Sequence, residues 1–293
     1  MQRFFTAARL LLGFFVLSGS GCALYNPAVN PATGQILQPT QMPPGSVAIE
    51  VFSICIPPDN PDLATHVWDE VDEQDFPVEA RRQLEKNGFR VGILAGQIPP
   101  VLSKLLDLKG QAAAGGTVQH VNVADLATPP RVTSEHMQTN AGKRYEIKAS
   151  SVIGKMPILA NDAGEIHGVT YDEAQGMFDL HVTPQPDGRV ELELIPEIHH
   201  GQTQQHWVGD QSIFRLETGR AKRAFDELKL TATLGPGAML LLGSQPNREG
   251  SLGHYFFLES NGRDDRFDQK LILIRICQTQ HNDLVSPGPL PIK

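Results

Sequence analysis

An α+β fold, in which a small α/β module precedes a mostly antiparallel β domain, is predicted by three observations. Apolar residues recur at helical spacing only between Asp62 and Leu108. From Gly116 onward, short β-branched and aromatic runs alternate with turn residues. The turns themselves have hairpin chemistry, at Pro186-Asp187-Gly188, Gly235-Pro236-Gly237 and Asn261-Gly262.

The chain opens with Arg3, an apolar run from Leu10 to Leu17, and then Ser18-Gly19-Ser20-Gly21-Cys22. A charged start, a short apolar core and a small-residue cleavage region make residues 1–21 a signal peptide. The apolar run is too short for the about 20 residues that a membrane span needs. Residues 22–46, rich in Pro, Gly, Asn, Gln and Thr and almost uncharged, read as a flexible tether.

The α/β module occupies 47–110. Val47 to Ile56 is an apolar, β-branched run stopped by Pro57-Pro58, and it predicts a buried strand. Leu63, Val67, Trp68 and Val71 lie at helical spacing behind Pro61. A second helix runs from Pro77 to Asn87-Gly88, where glycine suits a left-handed cap. Phe89 to Leu94 predicts a strand, and Pro99 to Leu108 a short amphipathic helix.

The β domain occupies 117–285, with strands expected at 118–123, 143–149, 177–183, 189–195, 213–216, 224–234, 238–242, 254–258 and 271–277. The tail 286–293, with three prolines, is expected to be disordered. In the hairpin around Gly188, one face carries Phe178, Leu180, Val182, Val190, Leu192 and Leu194. The other face carries Asp179, His181, Glu191 and Glu193. The first face is core, and Gly188 takes the positive φ of the turn.

Charge narrows the partners. The net charge is −8, and losing Arg3 and Arg9 with the leader takes it to −10. Nucleic acid and anionic surfaces are poor partners for such a chain. Of the three cysteines, Cys55 and Cys277 sit in strand-like runs, so a disulfide between them and two buried free thiols both remain open. No Gly-x-Ser-x-Gly elbow and no phosphate loop occurs, so no catalytic residue is assigned. His199, His200 and His206, with Glu197 nearby, form the one cluster with metal-ligand chemistry. The Gln-, Thr- and Gly-rich residues between His200 and His206 read as a solvated loop, so the expectation is no metal and no cofactor.

Gly19-Ser20-Gly21-Cys22 resembles the lipobox of bacterial lipoproteins, with Gly19 where Leu is usual. The resemblance implies a diacylglycerol on Cys22 and a membrane as partner. The hairpin from Gly176 to Pro184 and Pro186 to Glu197 resembles the paired strands of the secretin family's C-terminal β domain, with its Asp-Gly turn and closing Pro-Glu. Leu230 to Leu234, Gly235 to Gly243 and Lys270 to Arg275 follow in the order of that family's later strands. Ser244-Gln245-Pro246-Asn247-Arg248 departs from the family's gate sequence, which argues against a gated pore. The whole chain also resembles the predicted lipoproteins common in planctomycete genomes. These resemblances imply a lipid-anchored protein of the cell envelope, facing the periplasm or exterior, with a structural or assembly role among envelope proteins and no enzymatic one. The alternative is a periplasmic binding or metal-dependent hydrolytic domain built on the histidine loop.

Overall fold

The computed structural model describes residues 43, 45–58, 61–95, 98–113, 131–162, 164–210, 213–261 and 266–280. The signal peptide, Cys22, nearly all of the expected tether, the expected strand at 118–123 and the tail 286–293 lie outside these residues.

Sheet A is built on β1 (Ser46–Ile56), which is hydrogen-bonded on both sides. β12 (Phe267–Gln280) lies antiparallel on one side and β3 (Arg131–Asn140) on the other. β10 (Met239–Ser244) and β2 (Phe89–Leu94) complete the order β2-β10-β12-β1-β3, and β11 (Leu258–Ser260) also pairs with β12. Two-sided burial explains why β1 is apolar almost without a break. Val47, Ile49 and Val51 join the core between the sheets. Phe52, Ile54 and Ile56 face the second core, formed with helices α1 (Pro61–Trp68) and α3 (Pro100–Ala113). Helix α2 (Val78–Lys86) contributes Leu84 to the inter-sheet core.

Sheet B carries β4 (Arg144–Lys148), β6 (Glu165–Pro184), β7 (Val190–Asp210) and β8 (Ile213–Ala224) in that order. β5 (Ile153–Asp162) pairs with the first half of β6, and β9 (Leu230–Leu234) with the first half of β7. β6 and β7 pair only from Gln175↔His199 to Pro184↔Val190. Beyond those pairs the strands part into two ribbons, β5–β6 and β7–β8. The register follows the alternation: Leu180 faces Leu194, Val182 faces Leu192, and all four are fully buried. Gly188 has φ +84° in the turn.

The inter-sheet core is closed by an aromatic group in which Phe89, Phe178, Phe256 and Phe257 meet, mostly edge to face, with centroids 5.2–6.2 Å apart. It needs one very close backbone approach. A Cβ on Gly253 would stand 2.2 Å from the Gly88 carbonyl carbon, and Gly88 itself has φ +82°. Two glycines let the chain cross there.

Four expectations are corrected. Residues 254–258 were expected as a strand, yet Leu252–Phe256 forms a one-turn helix, α4. Ser251 caps it, accepting the His254 N–H at 3.2 Å. Residues 224–234 are not one strand, because a 3-10 turn at Asp226–Leu228 precedes β9. The segment from His199 to His206 is not a loop but part of β7. Finally, strands from the expected α/β module and from the expected β domain share one sheet, β1 and β2 lying in sheet A with β10 and β12. Strand pairing across more than 200 residues leaves no local trace in a hydropathy pattern.

Candidate functional site

The outward face of sheet B, polar by alternation, has a buried ionic cluster at its centre. Alternation places Asp179 and His181 of β6 and Glu197 and His199 of β7 on this face, opposite the core residues. β4 brings Arg144 and Glu146 alongside, and β8 brings Lys222. Glu197 and His199 are only 4% and 8% exposed, and Asp179 is buried as well.

Each buried charge has a counter-charge. Arg144 Nε lies 2.8 Å from Asp179 Oδ1, and its Nη2 donates to Glu197 Oε1 at 2.5 Å. The other Glu197 oxygen, Oε2, is 3.0 Å from His199 Nε2. His181 Nε2 is 3.2 Å from Asp179 Oδ2. Lys222 Nζ donates to Glu146 Oε1 at 2.6 Å. Burial pushes the Glu146 carboxyl up, but the Lys222 hydrogen bond and charge outweigh it and hold the group below its ordinary value.

The Lys222–Glu146 contact has a geometric consequence. β4 and β8 are three strand spacings apart, about 14 Å in a flat sheet. By register Glu146 stands in line with Asp179 and Ile195, while Lys222 stands in line with His199, four residues further along β7. Two side chains cannot bridge that diagonal on a flat surface. The face is coiled into a trough, and the cluster lies along its floor.

The expected histidine set is divided by the strand. His199 joins the cluster. His200, its neighbour, points to the opposite face, where its ring centroid lies 4.7 Å from that of Tyr171. The side chain of His206 lies outside the described residues, as does Cys22. Glu146, Glu197 and His199 do come together, each offering a ligand atom within 4.8 Å of the others. The two Glu and the His can hold a cation between them. The Glu197-x-His199 spacing was legible in the sequence; Arg144, Glu146 and Lys222 gave no local sign of joining it.

Cys55 and Cys277 do not pair. Both thiols are free, Cys55 buried and Cys277 exposed. Cys55 stands opposite Lys270 on β12, so Cys277 is seven residues further along, about 23 Å away. A disulfide needs Cα atoms within about 7 Å. Burial raises the Cys55 thiol above its ordinary value, against the lowering charges of Lys270 and Arg131. That thiol borders a cavity of about 370 Å³ between the edges of the two sheets, lined also by Ser53, Arg131, Thr133 and Lys270. Lys270 is spoken for, donating to Glu259 Oε2 at 3.0 Å and to the Lys148 carbonyl at 3.3 Å.

No family model matches the chain, and no curated protein matches it. Solved structures similar to it include the type IV competence pilus secretin PilQ of V. cholerae, at 9% identity and a TM-score of 0.24, over 84% of this chain and 63% of that one. The InvG secretin domain β-barrel from the Salmonella SPI-1 injectisome aligns at 12% identity and 0.22, over 85% and 64%. The type II secretin GspD from enteropathogenic Escherichia coli aligns at 12% and 0.21, over 82% and 69%. The chain thus spans less than two thirds of the first two. Similarity at this level establishes no common fold, and the functional reading rests on the chain's own residues.

Proposed function

We propose that this is an exported, lipid-anchored protein of the cell envelope with a non-enzymatic, secretin-like assembly role, held to a membrane through Cys22 and joined to envelope proteins at the outer edge of β8. One observation carries the reading: of the two ribbons of sheet B, one has a guarded edge, and the other has no partner on its outer edge among the described residues. On β5, Pro157 has no N–H to offer, the Leu159 N–H donates to the Gly250 carbonyl at 2.8 Å, and the Asn161 N–H donates to Asn87 Oδ1 at 2.7 Å. β8 has β7 as its only partner among the described residues, and from Gly201 onward β7 has only β8. A two-stranded ribbon is marginal on its own, and its open row of donors and acceptors favours an added strand. The leader and the small residues before Cys22 support export and lipidation.

Hydrogen exchange on Ile213–Ala224 tests the assembly role. Alternate amides are expected to exchange fast in the dilute purified protein, and all of them slowly in protein extracted from membranes. Fast alternate amides in both preparations defeat the reading. Mass spectrometry of the membrane fraction should find an acylated N-terminal Cys22; an unmodified soluble chain overturns the anchor.

A further inference from the structure

We propose that Glu146, Glu197 and His199 form a binding site for one divalent transition-metal ion, with zinc as the fitting ion, and that the metal fastens β4 to β7 across the trough. Linear spacing does not point to the full set, since Glu146 stands about fifty residues before Glu197 and reaches it only through the pairing of β4 with β6.

Geometry comes first. Three atoms no more than 4.8 Å apart share a point within about 2.8 Å of each. Side-chain adjustments of well under 1 Å then reach the roughly 2.0–2.2 Å of zinc–nitrogen and zinc–oxygen bonds. The 3.0 Å between His199 Nε2 and Glu197 Oε2 is already the spacing of neighbouring ligands on a small cation. One imidazole and two carboxylates suit a borderline divalent ion.

Charge points the same way. Glu146, Glu197 and Asp179 face Arg144 and Lys222, which leaves one negative charge in excess. Exchanging Lys222 for a divalent ion brings the group to neutrality. Lys222 can leave, because its side chain is 39% exposed and a partly exposed ion pair holds weakly. Arg144 stays, fixing Glu197 through Oε1 and leaving Oε2 turned toward His199. That is the supporting role of an outer-shell partner, which orients a ligand without touching the metal.

The test uses the purified protein stripped with a chelator and titrated with zinc chloride, read by calorimetry and by metal analysis after dialysis. One zinc per chain is expected, together with a higher melting temperature. Glu146→Gln and His199→Gln should each weaken binding tenfold or more. Lys222→Met should tighten it several-fold, since it removes the competing cation; binding to stray surface groups would not respond. The double variant His200→Ala with His206→Ala should bind as the wild type does. The metal-free melting temperature of Glu146→Gln shows that the fold is intact, because that side chain is 40% exposed. No stoichiometric zinc, binding indifferent to Glu146→Gln, or loss of binding in the His200/His206 double variant overturns the proposal.

Discussion

Truncating Leu192 to alanine tests the register on which sheet B depends. Leu192 is fully buried, with Val182 of β6 on one side and Ala232 of β9 on the other. Removing three carbons forfeits about 0.8 kcal/mol each, and the cavity left behind adds to that, for a total of about 3–4 kcal/mol. In a cooperative unit of this size, 1 kcal/mol shifts the melting temperature by about 2–4 °C, so Leu192→Ala should melt about 6–16 °C lower. Glu191→Ala, one residue away on the other face, should change stability by no more than about 0.5 kcal/mol. Leu192→Asp, which buries an unpaired charge, should be worse than Leu192→Ala. Circular dichroism melts of the three variants decide it. If Leu192→Ala and Glu191→Ala melt together, the register and the assignment of the core face are wrong.

Three further outcomes follow from the ionic groups and thiols. Arg144→Met should destabilise by about 2–4 kcal/mol, since it leaves Asp179 and Glu197 buried without their guanidinium; adding Asp179→Asn and Glu197→Gln should recover much of the loss, as denaturant titration would show. Burial raises the Glu259 carboxyl, but hydrogen bonds from Ser151 and Lys270 and the Lys270 charge outweigh it and leave the group lowered. The folded carboxyl therefore holds its proton less tightly than the unfolded one. Its contribution is complete above the ordinary carboxylate range and is lost as pH falls through the lowered value, so Glu259→Gln should flatten the acid limb of a stability profile, and an unchanged limb would contradict this. Iodoacetamide should label Cys277 in the native protein and Cys55 only after denaturation, and reducing agent should leave the melting temperature unchanged.

Much of the stretch from β1 to α3 was legible because the signal there is local. β1, β2 and the three helices each bury a face whose period shows in a short window. The β5–β6 ribbon was not legible: Glu165 to Thr170 are exposed on both faces, and Ile166 is 69% exposed, so no alternation marks a strand. β3 was missed for a similar reason, its ten residues being mostly polar and, Thr139 apart, not buried. The apolar, aromatic stretch at 254–258 resembled a strand, although Ser251 before it was a readable helix cap. At the ionic cluster, Glu197 and His199 shared a face by alternation alone. Their partners Arg144 and Glu146 arrive from about fifty residues earlier, brought by a pairing with β6 that no spacing rule encodes.

The place of β1 also determines how the protein bears load. Ser46, where β1 begins, is the point through which any pull along the preceding chain reaches the folded part. That pull runs along a strand zipped to β12 over Ser46–Ile56 and to β3 over Ser46–Cys55. Tension applied lengthwise must shear both ladders at once instead of peeling one bond at a time, and it does so at the centre of a sheet with packed cores on both faces. Resistance to such a pull is a matter of unfolding rate rather than equilibrium stability. The end at Ser46 is therefore the mechanically strong end, and the β7–β8 ribbon, with no further strand among the described residues, is the compliant one.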